Sequence, residues 1–206
     1  MRFVVGASVG ALFLAAAGAA SACEGSVVLL EDHFANQSSI WDSSSPTTLV
    51  DGKLELKTKA GKADKIIGSP IYKDVDLCAD MAVVAGSNLS TVYVGLGFWM
   101  TDYQNLYTFQ ITPEGVGGVY RLNKDKWETT LEDKPSDSIK KGRDAVNTLR
   151  VVTDGNNATL YINGDEFAEI TGEPPEEGQK VGFVVEASSQ STATFRFDDM
   201  NVTVPE

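Results

Sequence analysis

The sequence predicts an all-β protein in which two antiparallel sheets pack as a jelly-roll sandwich. First, apolar and polar residues alternate in roughly a dozen short segments, the pattern of strands with one buried face. Second, turn signals such as Asp51-Gly52 and Asn163-Gly164 separate these segments. Third, no segment has a long helical period, and residues 137–143 are predicted to form a polar loop. Short strands without helices are typical of sandwiches.

The predicted strands follow one another with short gaps. In order they are 27–34, 54–57, 75–83, 91–100, 106–111, 116–122, 126–131, 147–153, 158–162, 166–170, 181–186 and 192–204. In the third strand the inward set is Val75, Leu77, Ala79, Met81 and Val83. In the fourth, alternation places Val92, Val94, Leu96, Phe98 and Met100 inward, and Tyr93, Gly95, Gly97 and Trp99 outward.

Residues 1–22 have the features of a secretory signal peptide. Arg2 precedes an apolar run, and Ala20-Ser21-Ala22 is a small-x-small cleavage site directly before Cys23. The predicted mature domain is therefore 23–206, exported to a periplasm or secreted. The run is too short for a typical membrane span, and no later segment is long and apolar enough for one.

Two interpretations of Cys23 remain open. Cys23 and Cys78 are the two cysteines of the mature chain, and an oxidising compartment favours a disulfide between them. Alternatively, Ala20-Ser21-Ala22-Cys23 is a degenerate lipobox, and Cys23 is the lipidated N-terminus of a lipoprotein. The bulky residue that usually stands three places before the cysteine is absent, which favours the disulfide.

The chain is strongly acidic. It has 17 Lys and Arg against 29 Asp and Glu, a net charge of −12 that becomes −13 when Arg2 leaves with the signal peptide. Such a surface repels phosphate backbones and anionic headgroups, so we expect neither nucleic-acid binding nor binding to a membrane surface. The sequence leaves the oligomeric state open.

Several segments carry a family resemblance that spans nearly all of the mature chain. They are 50–56 (VDGKLEL), 94–98 (VGLGF) followed by Asp102, Asn105, Tyr107 and Phe109, 147–151 (NTLRV), 158–164 (ATLYING), 178–183 (GQKVGF) and 197–202 (FDDMNV). The pattern resembles the concanavalin A-like lectin and glucanase superfamily, including LamG-like modules and 3-keto-disaccharide hydrolase domains. The resemblance implies a concanavalin A-like jelly roll but does not choose among its functions.

The residues that such glucanases use for catalysis are missing. The chain has no Glu-x-Asp-x-x-Glu strand, in which alternate carboxylates would project into one cleft. His33 is the one histidine, and we expect a structural hydrogen bond there. An enzyme of the 3-keto-disaccharide hydrolase type remains an alternative, and its carboxylates and cation would come from Asp76, Asp80, Glu128 and Arg121. A structural or partner-binding envelope protein is a further alternative.

Aromatic residues on the outward sheet face favour non-catalytic binding of a carbohydrate or glycan. Sugar rings stack their C–H faces on flat aromatic rings, and their hydroxyls bond to amide and guanidinium groups. The predicted ligand-binding residues are Tyr93, Trp99, Gln110, Arg121 and Trp127. In this prediction Gly95 and Gly97 leave a shallow groove between Tyr93 and Trp99. The alternative is that a loop covers the two tryptophans as secondary core.

We predict no cofactor, with one alternative. Related sandwiches bind calcium where the first and last strands approach, and Asp32, Asp198 and Asp199 would supply hard oxygen ligands there. Surface acids without carbonyl partners bind the ion weakly, which favours simple surface carboxylates at these positions.

Overall fold

The structure is a computed structural model that describes residues 23–206, so the predicted signal peptide lies outside the described residues. Within that range the strands are β1 (Val28–Asp32), β2 (Trp41–Ser43), β3 (Thr47–Val50), β4 (Lys53–Thr58), β5 (Lys62–Gly68), β6 (Asp76–Gly86), β7 (Val92–Asp102), β8 (Asn105–Ile111), β9 (Val116–Asn123), β10 (Lys126–Pro135), β11 (Asn147–Asp154), β12 (Asn157–Ile162), β13 (Asp165–Thr171), β14 (Lys180–Ala187) and β15 (Ala193–Thr203). One 3₁₀ turn, Leu89–Thr91, precedes β7.

The strands form two antiparallel sheets that pack as a sandwich, which confirms the predicted fold class. Sheet 1 has the order β13-β12-β11-β6-β15-β4-β3, and β1 pairs with the end of β15. Sheet 2 has the order β10-β9-β8-β7-β14-β5-β2. Sequence neighbours such as β7, β8, β9 and β10 are joined as hairpins, whereas β6 and β15 meet from distant parts of the chain. No helix in residues 23–206 is long and apolar enough to span a membrane.

The core between the sheets contains the alternating residues that the sequence indicates. The inward set predicted for 75–83 is buried in one apolar cluster, as expected for a strand with period two. Aromatic rings join the layers: Phe183 of β14 and Phe197 of β15 stack with ring centres 4.2 Å apart. Offset aromatic pairs of this kind add to the free energy gained by area burial.

Three strands were absent from the prediction: β2, β3 and β5. The first two contain three and four residues, too few for a periodic signal. The β5 segment contains Lys62 and Lys65 beside Ile66 and Ile67, so it shows little alternation. Pairing with β14 on one side and β2 on the other makes it a strand. Tertiary pairing therefore decides its conformation more than local pattern does.

The N-terminal segment is fixed to the outer face of sheet 1. Cys23 forms a disulfide with Cys78 of β6, with the two Cα atoms 5.5 Å apart, which confirms the predicted pairing. The backbone N–H groups of Glu24 and Gly25 donate to Asp76 Oδ2 at 2.8 and 3.2 Å. Arg150 covers the same buried carboxylate, with Nε 2.7 Å from Oδ1. A sulfur bonded to Cys78 cannot also carry a lipid thioether, which argues against the lipoprotein alternative.

Candidate functional site

The outer face of sheet 2, which points away from sheet 1, has an apolar half and a cleft. The apolar half is a second, smaller cluster formed by Ile67, Met100, Leu106, Leu122 and Val184, with Tyr103 packed against it. Beside it lies a cleft of about 310 Å³, lined by Tyr93, Gln110, Tyr120, Trp127, Glu128, Thr129 and Glu186. We call this cavity the sheet-2 cleft.

Strong curvature of sheet 2 creates the cleft. Lys65 lies on β5 and Trp127 on β10, with four strands between them. Neighbouring strands are about 4.8 Å apart, so these positions would be roughly 24 Å apart on a flat sheet. Nevertheless the Lys65 ammonium nitrogen lies 5.9 Å from the centre of the Trp127 ring. The sheet therefore folds over its own outer face, and the Lys65 side chain reaches across the opening.

Two tyrosines form a fixed wall of the cleft. Tyr93 and Tyr120 both donate their hydroxyl hydrogens to Asp133, at 2.8 and 2.7 Å, and their rings meet edge to face with centres 6.4 Å apart. An irregularity in the β9–β10 pairing between Leu131 and Lys134 brings Asp133 to this position. Gly118 makes room for it, because a Cβ there would lie 2.3 Å from the Asp133 carboxylate.

Burial and charge shift the pKa values of three groups around the cleft. Burial raises the pKa of Glu186, and the nearby Lys65 ammonium only partly opposes this. Burial lowers the pKa of Lys65 against the opposing effect of Asp64, Asp125 and Glu186. Burial, with a smaller contribution from Asp133, raises the pKa of Tyr93 to about 12. Desolvation disfavours the charged form in every case.

Three of the five predicted ligand-binding residues meet in the sheet-2 cleft. Tyr93, Gln110 and Trp127 come from β7, β8 and β10 and line the same cavity. Trp127 keeps 39% of its surface exposed. The Gln110 amide nitrogen makes a long hydrogen bond, 3.5 Å, to the carbonyl of Val184.

The predicted placement of Trp99 is wrong. A bulge after Phe98 breaks the alternation of β7, and Trp99 adopts a left-handed backbone conformation with φ of 45°. Its side chain, 2% exposed, turns into the core against Phe98 and Tyr107. Met100 consequently lies on the outer face and fills the space over Gly97, where a Cβ would be 2.6 Å from the Met100 sulfur. The groove expected there does not exist.

The predicted placement of Arg121 on the cleft face is also wrong. Arg121 pairs with Tyr107 across β8 and β9, and its guanidinium lies 5.3 Å from the centre of the Tyr107 ring. Its Nη2 atom donates to Glu173 at 2.5 Å. Both partners lie on the side of the sheet opposite to Tyr120, so Arg121 borders a separate depression beside Trp99.

The residues of the enzyme alternative are not brought together. Asp76 is buried beneath the N-terminal segment on sheet 1. Asp80 lies on the same sheet and accepts a hydrogen bond from Thr148. Glu128 belongs to the sheet-2 cleft, and Arg121 is outside it. The four side chains therefore form no common site.

Each acid of the alternative calcium site has its own partner. Asp32 accepts hydrogen bonds from the Phe34 backbone and the Trp41 indole, and Asp198 pairs with Lys53. Asp199 accepts a bond from His33 at 2.6 Å, so the histidine has the structural hydrogen bond expected from the sequence. In the part of the chain that the structure describes, no three His, Cys, Asp or Glu side chains are grouped to hold a metal ion.

Comparison with known proteins identifies the family. The sequence profile of the 3-keto-alpha-glucoside-1,2-lyase-like domain matches residues 27–203. The chain belongs to this family. No curated protein matches the sequence significantly. The family-matched range includes every residue of the sheet-2 cleft.

Solved structures of the same fold are distant in sequence. The carbohydrate-binding module CBM66 from Bacillus subtilis is 11% identical with a TM-score of 0.65, covering 80% of this chain and 96% of that one. A β-glucanase from Bacillus licheniformis is 9% identical with a TM-score of 0.62, covering 85% and 98%. The carbohydrate recognition domain of Emp47p is 12% identical with a TM-score of 0.60, covering 85% and 95%. At these identities the likeness shows the fold.

Three residues that line or border the cleft were not predicted from the sequence: Tyr120, Glu186 and Lys65. Tyr120 alternates with core residues on β9, and the same period-two argument that selected Tyr93 could have found it. Glu186 directly faces Tyr93 across β7 and β14, a register that only the structure reveals. Lys65 lies on the unrecognised strand β5, so no pattern placed its side chain over Trp127.

Proposed function

We propose that this protein binds carbohydrate in the sheet-2 cleft without breaking a bond. The main support for this proposal is Trp127, an exposed indole at the border of a concave cavity whose other lining groups are polar or aromatic. A concave cavity that combines aromatic side chains with a few convergent polar groups is the usual form of a small-ligand site.

A sugar ring fits this arrangement of groups. One C–H face would stack on Trp127, with the edge-to-face pair of Tyr93 and Tyr120 as the second boundary. Its hydroxyls would donate to the carboxylates of Glu128 and Glu186 and exchange hydrogen bonds with the Gln110 amide. Asp133 fixes both tyrosine rings beforehand, which lowers the entropy lost on binding.

The comparisons support the carbohydrate-binding part of this proposal. The family is named for a glucoside-directed activity, and similar folds include a carbohydrate-binding module and a carbohydrate recognition domain.

We further propose that the protein is exported. The predicted signal peptide and the Cys23–Cys78 disulfide support that location, because structural disulfides persist in oxidising compartments.

The test is a glycan array followed by calorimetry with the best ligand. We expect Trp127→Ala to weaken binding at least tenfold, because stacking on the indole is lost. Ile71→Ala is the matched control, since Ile71 is an exposed apolar side chain that is not part of the cleft lining, and it should bind as the parent does. Equal binding by Trp127→Ala and the parent would contradict the proposal.

Cleavage of a glucoside is the second candidate, and Glu186 is the observation that favours it. A half-buried carboxyl with a raised pKa keeps its proton to a higher pH than an exposed carboxyl does, which suits it to proton transfer. In a 1,2-elimination from a 3-keto glucoside, a base removes the C2 proton, the C1–O bond breaks, and the leaving oxygen takes a proton. Product formation from a 3-keto glucoside that Glu186→Gln abolishes, while binding persists, would support this candidate over simple binding.

A further inference from the structure

Lys65 places a cation at the opening of the sheet-2 cleft, and no carboxylate of residues 23–206 forms an ion pair with it. Its backbone is fixed at both polar atoms: the N–H donates to Ser44 Oγ at 2.8 Å, and the carbonyl accepts from the Ser44 N–H at 2.9 Å. From there the side chain extends over the Trp127 ring. Within residues 23–206 no carboxylate oxygen lies within 4.0 Å of the Lys65 ammonium nitrogen.

Glu186 is the unpaired anion of the same cleft. Its carboxyl is half-buried and lines the cavity. In the described part of the chain it forms neither an ion pair nor a hydrogen bond with another side chain. A desolvated carboxylate without a partner is unfavourable, so this group gains most from a cation or donor that arrives with a ligand.

The other charges around the cleft already have partners. Glu128 lies 3.8 Å from Lys126, Asp133 accepts the two tyrosine hydroxyls, and Asp125 accepts a hydrogen bond from the Gln104 amide at 2.7 Å. Lys65 and Glu186 thus remain as the two charged groups around the cleft that have no ion-pair or hydrogen-bonding partner among the side chains of residues 23–206. The acids also outnumber the two lysines, which disfavours an anionic sugar.

We propose that the ligand of this cleft is an amino sugar with a free ammonium group, such as a glucosamine oligomer. This inference rests on the proposed carbohydrate binding and names its substrate class. Lys65 shows that an ammonium is accommodated over the Trp127 face, where the quadrupole of the ring attracts a cation. The sugar ammonium enters the cavity between the Trp127 ring and the Glu186 carboxyl, which line it together, Lys65 swings out to solvent, and Glu186 supplies the counter-charge.

The experiment compares three hexamers of equal length by calorimetry at pH 6: glucosamine, N-acetylglucosamine and β-1,4-linked glucose. We expect the glucosamine hexamer to bind at least tenfold more tightly than either neutral hexamer. Glu186→Gln should reduce its affinity to the neutral level. Lys65→Met should increase it several-fold, because the competing cation is gone while the length of the side chain is kept.

Glu166→Gln is the matched control, because it removes an equal charge from an exposed position on sheet 1. If it weakens glucosamine binding as much as Glu186→Gln does, overall charge explains the effect and the inference fails. Tighter binding of a neutral hexamer with no effect of Glu186→Gln would also overturn it, while leaving carbohydrate binding intact. Binding of none of the three hexamers, together with a blank glycan array, would overturn both proposals. Thermal melting of each variant verifies that it is folded.

Discussion

The backbone N–H of Trp99 donates a hydrogen bond of 2.8 Å to the side-chain carbonyl of Gln179. The Gln179 amide nitrogen donates in turn to the Lys73 carbonyl and the Thr153 hydroxyl, at 3.0 and 2.9 Å. One buried side chain therefore connects the bulge of β7 with β11 and the loop before β6. The bulge that turns Trp99 inward is thus a fixed element of the sandwich.

Replacing Gln179 should destabilise the whole domain. Gln179→Ala leaves the buried Trp99 N–H without its partner and removes the bonds to the Lys73 carbonyl and the Thr153 hydroxyl, and we expect a loss of about 1–3 kcal/mol in the free energy of unfolding. Urea denaturation measures the change. Gln190→Ala changes an exposed side chain that makes no hydrogen bond with the described residues, and it should cost less than about 0.5 kcal/mol. Similar losses for the two variants would contradict the role of Gln179.

Trp99 and Trp127 should differ in their contribution to stability and in their exposure to solvent. Trp99→Ala removes a buried core ring and should cost about 3–5 kcal/mol, whereas Trp127→Ala at the open cleft should cost about 1 kcal/mol or less. In the folded protein, iodide should quench the fluorescence of Trp127 but not that of Trp99, which single-tryptophan variants can resolve. Quenching of Trp99 in native protein would show that its side chain faces solvent.

The disulfide should stabilise the domain chiefly through the unfolded state. It closes a loop with a sequence separation of 55 residues, for which the chain-entropy model gives about 4 kcal/mol. We expect the double variant Cys23→Ala, Cys78→Ala to unfold at lower urea concentration. A reductant should lower the midpoint of the parent towards that value and leave the double variant unchanged. Two titratable thiols in oxidised native protein would contradict the bond.

The hydrogen-bonded pair of Tyr93 and Tyr120 should make the stability of the domain depend on pH in the alkaline range. The pKa of Tyr93 is raised to about 12 and that of Tyr120 is also raised, mainly by burial and then by Asp133. A group with a raised folded pKa contributes stability below its unfolded value, near 10, and this stability is lost as the pH rises towards the folded pKa. The urea concentration at the midpoint of unfolding should therefore decrease as the pH is raised from about 10 to 12.

Asp133→Asn tests the contribution of the carboxylate to this dependence. Without the negative charge the tyrosine pKa values move back towards the ordinary value, so the fall of the midpoint with pH should become smaller. Asp137→Asn carries the same charge change at an exposed loop position and should retain the dependence of the parent. An identical alkaline profile for Asp133→Asn and the parent would exclude Asp133 as a cause.

Period-two alternation predicted most of the sandwich because most strands bury one face. It failed where the backbone departs from the ideal strand. At Trp99 a single bulge reverses the facing of the residues that follow, and no residue near it in the sequence marks that change: the partner that fixes it, Gln179, is 80 positions away. Sheet pairing, and hence the bulge, is decided by such non-local contacts.

The cleft was half predictable for a related reason. Tyr93 and Gln110 follow from the alternation of their own strands, and Trp127 was predicted as an aromatic residue on the strand that comes next in the sequence. Lys65 and Glu186 are brought to the cleft by the strand order and the curvature of sheet 2. In that order β14 pairs with β7, and β5 pairs with β14, although strands of sheet 1 separate these segments in the sequence. The sequence contains these residues but no local signal of their neighbours.

The position of Cys23 determines how the protein would be presented when it is attached to something else. The N-terminal segment lies on the outer face of sheet 1, whereas the cleft opens on the outer face of sheet 2, so the full thickness of the sandwich separates them. A tag, a dye or a solid support joined to the residue before Cys23 would leave the cleft pointing away from the surface. A chain that begins just before Cys23 can therefore be attached through its N-terminus to make an immobilised sensor or an affinity resin from this domain.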